Sequence, residues 1–252
     1  MISTPQAKAF IIVPKCIAGV SFIGSGLIIA DIFRRMKFCQ LRLTPRHRLL
    51  VGMSVCDLLS NFAWFMATWA LPSSIDNLYW NKGNWATCKA QGFLIQLSLG
   101  TIGYNVSLSI YYFLVIRNRW TNEQICKSVE PLMHLVPWIL ALGTSSSAVA
   151  LRLVNPLWWV CWIGTYPPSC EQQSLGTIEA STRCTRGTNA EFYTYAFFFV
   201  PLWIATILIT GAMLMVYWKI HGVEEASSRF GQGNRQKGRF AMQALMCTCI
   251  VF

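Results

Sequence analysis

Charged residues are scarce in this 252-residue chain: Asp, Glu, Lys and Arg together make up only 12% of it. That is about half of the share that is typical of a soluble domain. So few charges argue against a cytosolic enzyme, and the abundance of large apolar residues argues against a disordered chain. A membrane-embedded protein is the class that remains.

Groups that could carry out catalysis are also few. The three histidines, His47, His134 and His221, are far apart in the sequence. We find no nucleophile–base pair, no phosphate-binding loop and no metal-ligand triad. The sequence therefore predicts neither an enzyme nor a bound cofactor or metal ion.

What the chain does have is long apolar runs, since 54% of its residues are hydrophobic. A helix needs about 20 residues to cross about 30 Å of hydrocarbon. The sequence predicts an all-α membrane protein, a helical bundle of the seven-span type that forms one domain over residues 1–252. Five runs are complete and a sixth is partial, at about residues 16–33, 49–71, 88–117, 132–154, 192–220 and 236–252.

The sixth run is too short to complete a span before Phe252. A helix cannot end inside hydrocarbon with its last carbonyls unpaired. We therefore expect the chain to be a fragment that is truncated in its sixth helix. A short re-entrant or interfacial segment is the alternative.

Basic residues concentrate in alternate loops. The first loop holds six of the 21 basic residues, the loop after the third span holds three, and the loop after the fifth span holds five. The positive-inside rule then places the N-terminus outside and these loops in the cytosol. We expect a multi-pass protein of the plasma membrane. Loop charges that set topology and attract the lipid bilayer make nucleic-acid binding unnecessary.

Four cysteines fall on the predicted outer side, where disulfides persist: Cys88, Cys161, Cys170 and Cys184. Their even number allows all of them to pair, in more than one way. Our preferred pairing joins Cys88 to Cys161 across the bundle and lets Cys170 and Cys184 close a short loop. The rival pairing joins Cys88 to Cys184.

Polar residues inside the predicted spans mark a candidate switch. Asp57 lies deep in the second span, where an ionised carboxylate is costly. Its expected neighbours are Ser54 and Asn61 on its own helix, and Thr101 or Asn105 on the third. Either a switch or ion site, or a structural hydrogen bond, would account for it. Pro201 predicts a kink in the fifth span, which could be a hinge or static.

Two motifs with this topology resemble seven-helix G-protein-coupled receptors, most of all the cyclic-AMP-receptor-like group. They are Cys88-Lys89-Ala90-Gln91-Gly92 at the third helix and Cys161-Trp162-Ile163 after the fourth. Other positions are similar to rhodopsin-like receptors: Asp57 in the second helix, Trp138 in the fourth and Pro201 in the fifth. The chain departs from that pattern at Tyr111-Tyr112-Phe113, where those receptors carry an Asp-Arg-Tyr type motif.

The resemblance implies a receptor that passes an unknown extracellular stimulus to a heterotrimeric G protein. It implies cytosolic contacts at the inner ends of the third, fifth and sixth helices, which here carry Tyr112, Arg117, Arg119, Arg235, Lys237 and Arg239. A multi-pass transporter or channel subunit is the alternative. Such a protein would show internal repeats or a broken helix lined with charge.

The predicted topology can be tested with an impermeant thiol reagent on sealed cells, using variants that keep one reactive cysteine each. Cys39 in the first loop should stay unlabelled. A cysteine placed between Cys161 and Asn189 should be labelled. Labelling of Cys39 from outside would overturn the orientation.

Overall fold

The computed structural model describes residues 5–39, 43–75, 80–167, 170 and 184–229. Within these residues, five helical segments are long and apolar enough to cross a membrane, which confirms the all-α membrane class. They are Ile11–Phe38, Pro45–Ala70, Trp85–Ile116, Glu130–Ala150 and Ala190–Val223. The predicted partial span at 236–252 lies outside the described residues.

Eight α-helices build these segments and the loops between them. Capping boxes fix the starts of two of these helices. Asn84, before the helix at Trp85–Gln96, and Thr121, before the helix at Asn122–Ser128, each accept a hydrogen bond from a backbone N–H of the first turn. Two irregular pieces complete the set, a 3₁₀ turn at Ala67–Ala70 and a π-helical segment at Tyr195–Phe199. The helices are α1 Pro5–Cys39, α2 Pro45–Met66, α3 Trp85–Gln96, α4 Ser98–Ile116, α5 Asn122–Ser128, α6 Glu130–Ala150, α7 Ala190–Thr194 and α8 Val200–Arg229.

Helix α4 lies at the centre of the bundle, where it packs against α2, α6 and α8, while α1 packs along α2. Glycines permit these close contacts. A Cβ at Gly100 would lie 2.7 Å from the Cys56 Sγ, and one at Gly103 would lie 3.0 Å from Pro137. Such small residues let membrane helices approach closely when no hydrophobic force drives them together.

The third span is not the single helix that we predicted over 88–117. It divides into α3 and α4 at Leu97, where the Gly100 amide donates to the Leu97 carbonyl over 2.8 Å. This tight turn falls in the sequence Leu97-Ser98-Leu99-Gly100, which contains two residues of low helix propensity. The break places the side chain of Gln96 in the centre of the bundle, where it is fully buried.

The fifth span is irregular just before Pro201. Over Tyr195–Phe199 the backbone is π-helical, and the Val200 amide donates to the Tyr195 carbonyl, five residues back. Because Pro201 has no N–H, the carbonyl of Phe197 loses its α-helical partner. The distortion thus occupies the turn that precedes the proline.

A small β-hairpin follows the fourth span, where we had predicted helix as far as Val154. Helix α6 ends at Ala150, and strands β1 (Val154–Pro156) and β2 (Cys161–Ile163) pair antiparallel. The hairpin buries most of its residues against α3, because four of its six strand positions are hydrophobic and one is a proline. The all-helical prediction missed it because three-residue strands carry no periodic signal.

Two disulfides hold this end of the bundle. Cys88 at the start of α3 is bonded to Cys161 in β2, with Cα atoms 5.2 Å apart, and Cys170 is bonded to Cys184 at 5.3 Å. This is the preferred pairing, and the structure does not contain the Cys88–Cys184 bond. We call the end of the bundle that carries the Cys88–Cys161 bond the disulfide end.

Candidate functional site

Gln91, a buried amide on α3, joins three elements at the disulfide end. Its Nε2 donates to the carbonyls of Ala63 and Ala67 over 3.0 and 2.8 Å, and its Oε1 accepts from the Cys161 amide over 2.9 Å. Ala67 has a positive φ of 41° and ends α2, and its own N–H donates to the Ala63 carbonyl. Gln91 therefore adds a second donor to the Ala63 carbonyl and supplies a side-chain donor to the Ala67 carbonyl, where the α-helical pattern stops.

Gln96, five residues further along α3, donates a hydrogen bond to a backbone carbonyl of the fifth span. Its Nε2 donates to the Phe197 carbonyl over 3.0 Å, which is the carbonyl that Pro201 leaves without a helical donor. Its Oε1 accepts from the indole N–H of Trp162 over 2.9 Å. We call this chain of Trp162, Gln96 and the Phe197 carbonyl the Gln96 bridge.

The Gln96 bridge connects the hairpin to the irregular part of the fifth span. The Trp162 ring also meets the Phe198 ring edge to face, with centroids 5.2 Å apart. A hydrogen bond of this kind contributes about 1 kcal/mol, but a buried polar group left unpaired costs about 1–3 kcal/mol. Displacing Trp162 would therefore disturb Gln96 and, through it, the Phe197 carbonyl. From the sequence, Gln91 was named only as part of the motif at Cys88–Gly92 and Gln96 was not named, although an amide within an apolar span is a visible signal.

Asp57 forms a second polar centre, between α1, α2 and α4. The Thr101 hydroxyl donates to its Oδ1 over 2.8 Å, and the Ser25 hydroxyl on α1 hydrogen-bonds to the same carboxylate. Among the described residues, neither the Asn61 nor the Asn105 side chain hydrogen-bonds to Asp57. The sequence-based list of neighbours therefore contained Thr101 correctly but missed Ser25. The sequence did contain a signal for a contact at Ser25, because Ser25 lies between Gly24 and Gly26, and glycines permit close helix approach.

An ion pair joins α2 to α6 at the opposite end of the bundle. Arg48 meets Glu130 with two nitrogens: its Nε contacts Oε1, and its Nη2 lies 2.6 Å from Oε2. Glu130 is only 6% exposed. Arg48 lies just before the predicted second span at about 49–71, so the sequence placed it among the six basic residues of the first loop. That placement was incomplete, because α2 begins at Pro45 and carries Arg48 into the bundle. We had not assigned Glu130 at all.

The ion pair continues into the core through His134. The His134 Nε2 lies 3.7 Å from the Glu130 Oε1, and its Nδ1 shares a 3.0 Å hydrogen bond with the hydroxyl of Tyr104 on α4. Tyr104 is 1% exposed and packs where a Cβ at Gly52 would overlap its ring. We call Arg48, Glu130, His134 and Tyr104 the Arg48 network, and the end that holds it the Arg48 end.

The predicted partner contacts fall only partly within the structure. Tyr112 lies near Arg46, whose guanidinium is 5.9 Å from the centre of the Tyr112 ring. Arg117 and Arg119 are exposed after the end of α4. These three residues lie at the Arg48 end. The other predicted contacts, Arg235, Lys237 and Arg239, are outside the described residues.

The loops at the disulfide end carry a half-buried cation, Arg186. The Arg186 guanidinium lies 4.6 Å from the centre of the Trp85 ring. Burial lowers the pKa of Arg186, and the nearby charge of Arg152 lowers it further. The group nevertheless stays protonated at physiological pH, because the ordinary pKa of arginine is very high. In the described ranges no cluster of three or more His, Cys, Asp or Glu side chains could hold a metal ion.

One relative is informative about the class of protein. The chain is 26% identical over 159 residues to the ascaroside receptor GPR3 of Arthrobotrys oligospora, a fungal G-protein-coupled receptor. The chain is similar to a G-protein-coupled receptor. The match covers 59% of this chain but only 38% of the receptor, so the chain spans much less than two thirds of its relative's length. No protein-family model matches the sequence.

The relative and the five apolar spans together support a receptor-like membrane protein. A receptor as relative also fits a protein that is not an enzyme. The similarity is to a receptor, and it extends over 159 residues.

The Arg48–Glu130 pair should contribute measurably to stability. Arg48→Met leaves the Glu130 carboxylate buried and unpaired, so we expect a loss of about 3 kcal/mol, at the lower end of the range for such pairs because Arg48 is partly exposed. Glu130→Gln should cost less than this, and the double variant less than the sum of the two. Thermal unfolding of the purified protein in detergent measures all three.

The matched control is the Glu123–Lys127 pair on α5, whose side chains are 78% and 75% exposed. Lys127→Met should change stability by less than about 0.5 kcal/mol, because surface pairs contribute little. Equal effects of Arg48→Met and Lys127→Met would show that the buried pair has no special weight.

Proposed function

We propose that this chain is the helical core of a G-protein-coupled receptor that passes an extracellular stimulus from the disulfide end to a cytosolic partner at the Arg48 end. The N-terminus would be extracellular, in the plasma membrane. The observation that carries the proposal is the Gln96 bridge. It connects the disulfide-anchored hairpin, where a ligand would be met, to the irregular turn of the fifth span.

The Gln96 bridge gives the stimulus a physical route. A ligand that contacts the hairpin would alter the position of Trp162, and Trp162 orients the Gln96 amide. That amide supports the Phe197 carbonyl in the π-helical turn. Such turns occur often at functional sites, and they differ from regular helix by one residue. A ligand that binds better to one arrangement of this turn shifts the population toward it.

Space beside α8 would allow the fifth span to respond. A cavity of about 390 Å³ lies between α4, α6 and α8, and its lining is apolar apart from the Ser107 hydroxyl. Pro201, Ala205 and Leu208 form its wall on the α8 side. Because α8 is not tightly packed here, it can move without disrupting a dense core.

The Arg48 network would keep the opposite side of the bundle fixed. It joins α2, α4 and α6 by hydrogen bonds and an ion pair, and it does not include α8. In this proposal it substitutes for the Arg of the Asp-Arg-Tyr type motif, which Tyr111-Tyr112-Phe113 lacks. Asp57, held by Thr101 and Ser25, would be the polar switch between the two ends.

A transporter is supported less well by the same helices. The third span is broken at Leu97, which is a feature of transporter cores. However, the break holds the neutral amide of Gln96, which hydrogen-bonds to protein groups, instead of a charge that could bind an ion. The break is therefore accounted for by the Gln96 bridge.

Coupling is tested with the full-length protein at matched surface level. The probes are ascarosides, chosen because the relative is an ascaroside receptor, and the measurement is nucleotide exchange on a panel of heterotrimeric G proteins. Arg117→Ala together with Arg119→Ala should reduce stimulated exchange by about tenfold, because charges at a docking surface each contribute on the order of 1 kcal/mol.

The control removes the same number of charges from the same end, at Arg34 and Lys127, both of which are exposed. This control should leave exchange unchanged. Equal exchange in both double variants would reject docking at Arg117 and Arg119. Absence of any exchange in the unaltered protein, with every ascaroside and G protein on the panel, would count against the receptor proposal itself.

A further inference from the structure

Lys15 is a cation held inside the disulfide end without an oxygen partner. It lies on α1, is 7% exposed, and within the described part of the chain its Nζ has no hydrogen-bond acceptor. The Nζ instead lies 3.7 Å from the centre of the Trp69 ring and 5.6 Å from that of Trp80. Ring faces attract a cation, but they replace only part of its lost hydration.

The same two rings border a cavity of about 590 Å³. Its lining consists of Met66, Trp69, Trp80 and Lys82. Two of these four residues are the tryptophans that contact Lys15, and Lys82 adds a second, exposed cation at the rim. No acidic side chain is part of this lining as far as the structure describes it.

We propose that this cavity binds an amphiphilic anion, a molecule with a carboxylate or phosphate head and an alkyl chain. The head would lie at Lys82, and the chain would lie along Met66 and Trp69. The Lys15 ammonium, which contacts the Trp69 ring and is not part of the lining, would attract the head through its charge. We call this the Lys15 site. The proposal is independent of the receptor proposal, because it rests on the residues between α1, α2 and the turn that follows α2, and needs no partner protein.

The chemistry of the lining selects this class of ligand. A buried ammonium attracts an anion strongly, because the surrounding low dielectric strengthens the interaction. The edges of tryptophan rings carry partial positive charge and favour an anion too, while their faces and the polarisable thioether of Met66 favour an alkyl chain. A cationic ligand would be repelled, and a neutral alkane would leave the Lys15 ammonium unpaired.

Two sources can provide the same head and chain: a free fatty acid, or an anionic phospholipid of the bilayer. The alternative is that the tryptophan rings alone stabilise Lys15 and that the cavity binds no ligand. Lys15→Gln separates these readings, because it removes the charge but keeps a polar group of similar length. Lys15→Arg keeps the charge and should retain binding.

The experiment uses the full chain in phosphatidylcholine nanodiscs, with radiolabelled decanoate as the probe. Decanoate should bind saturably to the unaltered protein. Lys82→Gln should weaken binding about tenfold, the effect of losing one charge-assisted hydrogen bond. Lys15→Gln should weaken it about threefold, because Lys15 attracts the head only through its charge. Lys89→Gln is the matched control, since Lys89 is exposed on α3 at the same end, and it should bind as the unaltered protein does.

A second arm identifies the source by adding phosphatidylglycerol to the nanodiscs. Displacement of decanoate by this lipid, lost in Lys15→Gln, assigns the site to a bilayer phospholipid. Absence of displacement assigns it to a free fatty acid. Because Lys82 is at the surface, Lys82→Gln keeps the test valid if Lys15→Gln does not fold. No saturable binding of decanoate, or equal binding by the Lys15, Lys82 and Lys89 variants, would overturn the proposal.

Discussion

Inside a bilayer, every backbone N–H and C=O must find a partner within the protein, because no water is present to replace one. Within the residues that the structure describes, helices are interrupted at three places near the disulfide end: at Ala67, at Leu97 and over Tyr195–Phe199. Each interruption takes carbonyls out of the helical pattern. Two side-chain amides, Gln91 and Gln96, donate to carbonyls at the first and the last of these.

The position of these two amides accounts for much of the architecture around them. Gln91 accepts from the backbone of β2 beside the disulfide, and Gln96 accepts from the indole of Trp162 in the same strand. The hairpin is therefore fixed to α3 by a covalent bond and two hydrogen bonds. Through the donor atoms of the same amides, it is connected to α2 and to the fifth span. In each glutamine the side-chain oxygen accepts a hydrogen bond from the hairpin, and the side-chain nitrogen donates to a helix. A change at the hairpin therefore acts on α2 through Gln91 and on the fifth span through Gln96.

The two ends of the bundle differ in the kind of interaction that holds them. The disulfide end relies on neutral amides and a covalent bond, and the Arg48 end relies on an ion pair extended by His134. A neutral hydrogen bond in a low dielectric can be exchanged for another at small cost, whereas separating a buried ion pair is expensive. This difference suits a molecule in which the fifth span is adjustable while α2, α4 and α6 stay together.

Hydropathy predicted the five spans, because the thickness of the bilayer requires about 20 consecutive apolar residues for each crossing and such runs are visible in the sequence. A carboxylate in a span needs a donor, so candidate neighbours of Asp57 could be named in advance, and Thr101 was one of four. The sequence could not choose among them, and it did not point to Ser25. The break at Leu97 was not predicted, because Ser98 and Gly100 lower the helix propensity too little to end a helix by themselves. Pro201 did predict a distortion of the fifth span, but the π-helical form over Tyr195–Phe199 and the support of the Phe197 carbonyl by Gln96 depend on tertiary contacts. Arg48 was misread for a related reason, since its role depends on Glu130, which lies 82 residues away in the chain.

The hairpin supports the fifth span through the hydrogen bonds of Gln96 to Trp162 and to the Phe197 carbonyl. Hydrogen exchange of the amides between Tyr195 and Leu202 tests it directly in Trp162→Phe, which keeps an aromatic ring beside Phe198 but removes the indole N–H. The control is Trp159→Phe. Trp159 is in the same hairpin, but its ring packs against Trp64 of α2, with ring centroids 5.3 Å apart, and not against Gln96. We expect the amides of this segment to exchange faster in Trp162→Phe than in the unaltered protein, and at an unchanged rate in Trp159→Phe. Equal protection of the segment in the two variants would contradict it.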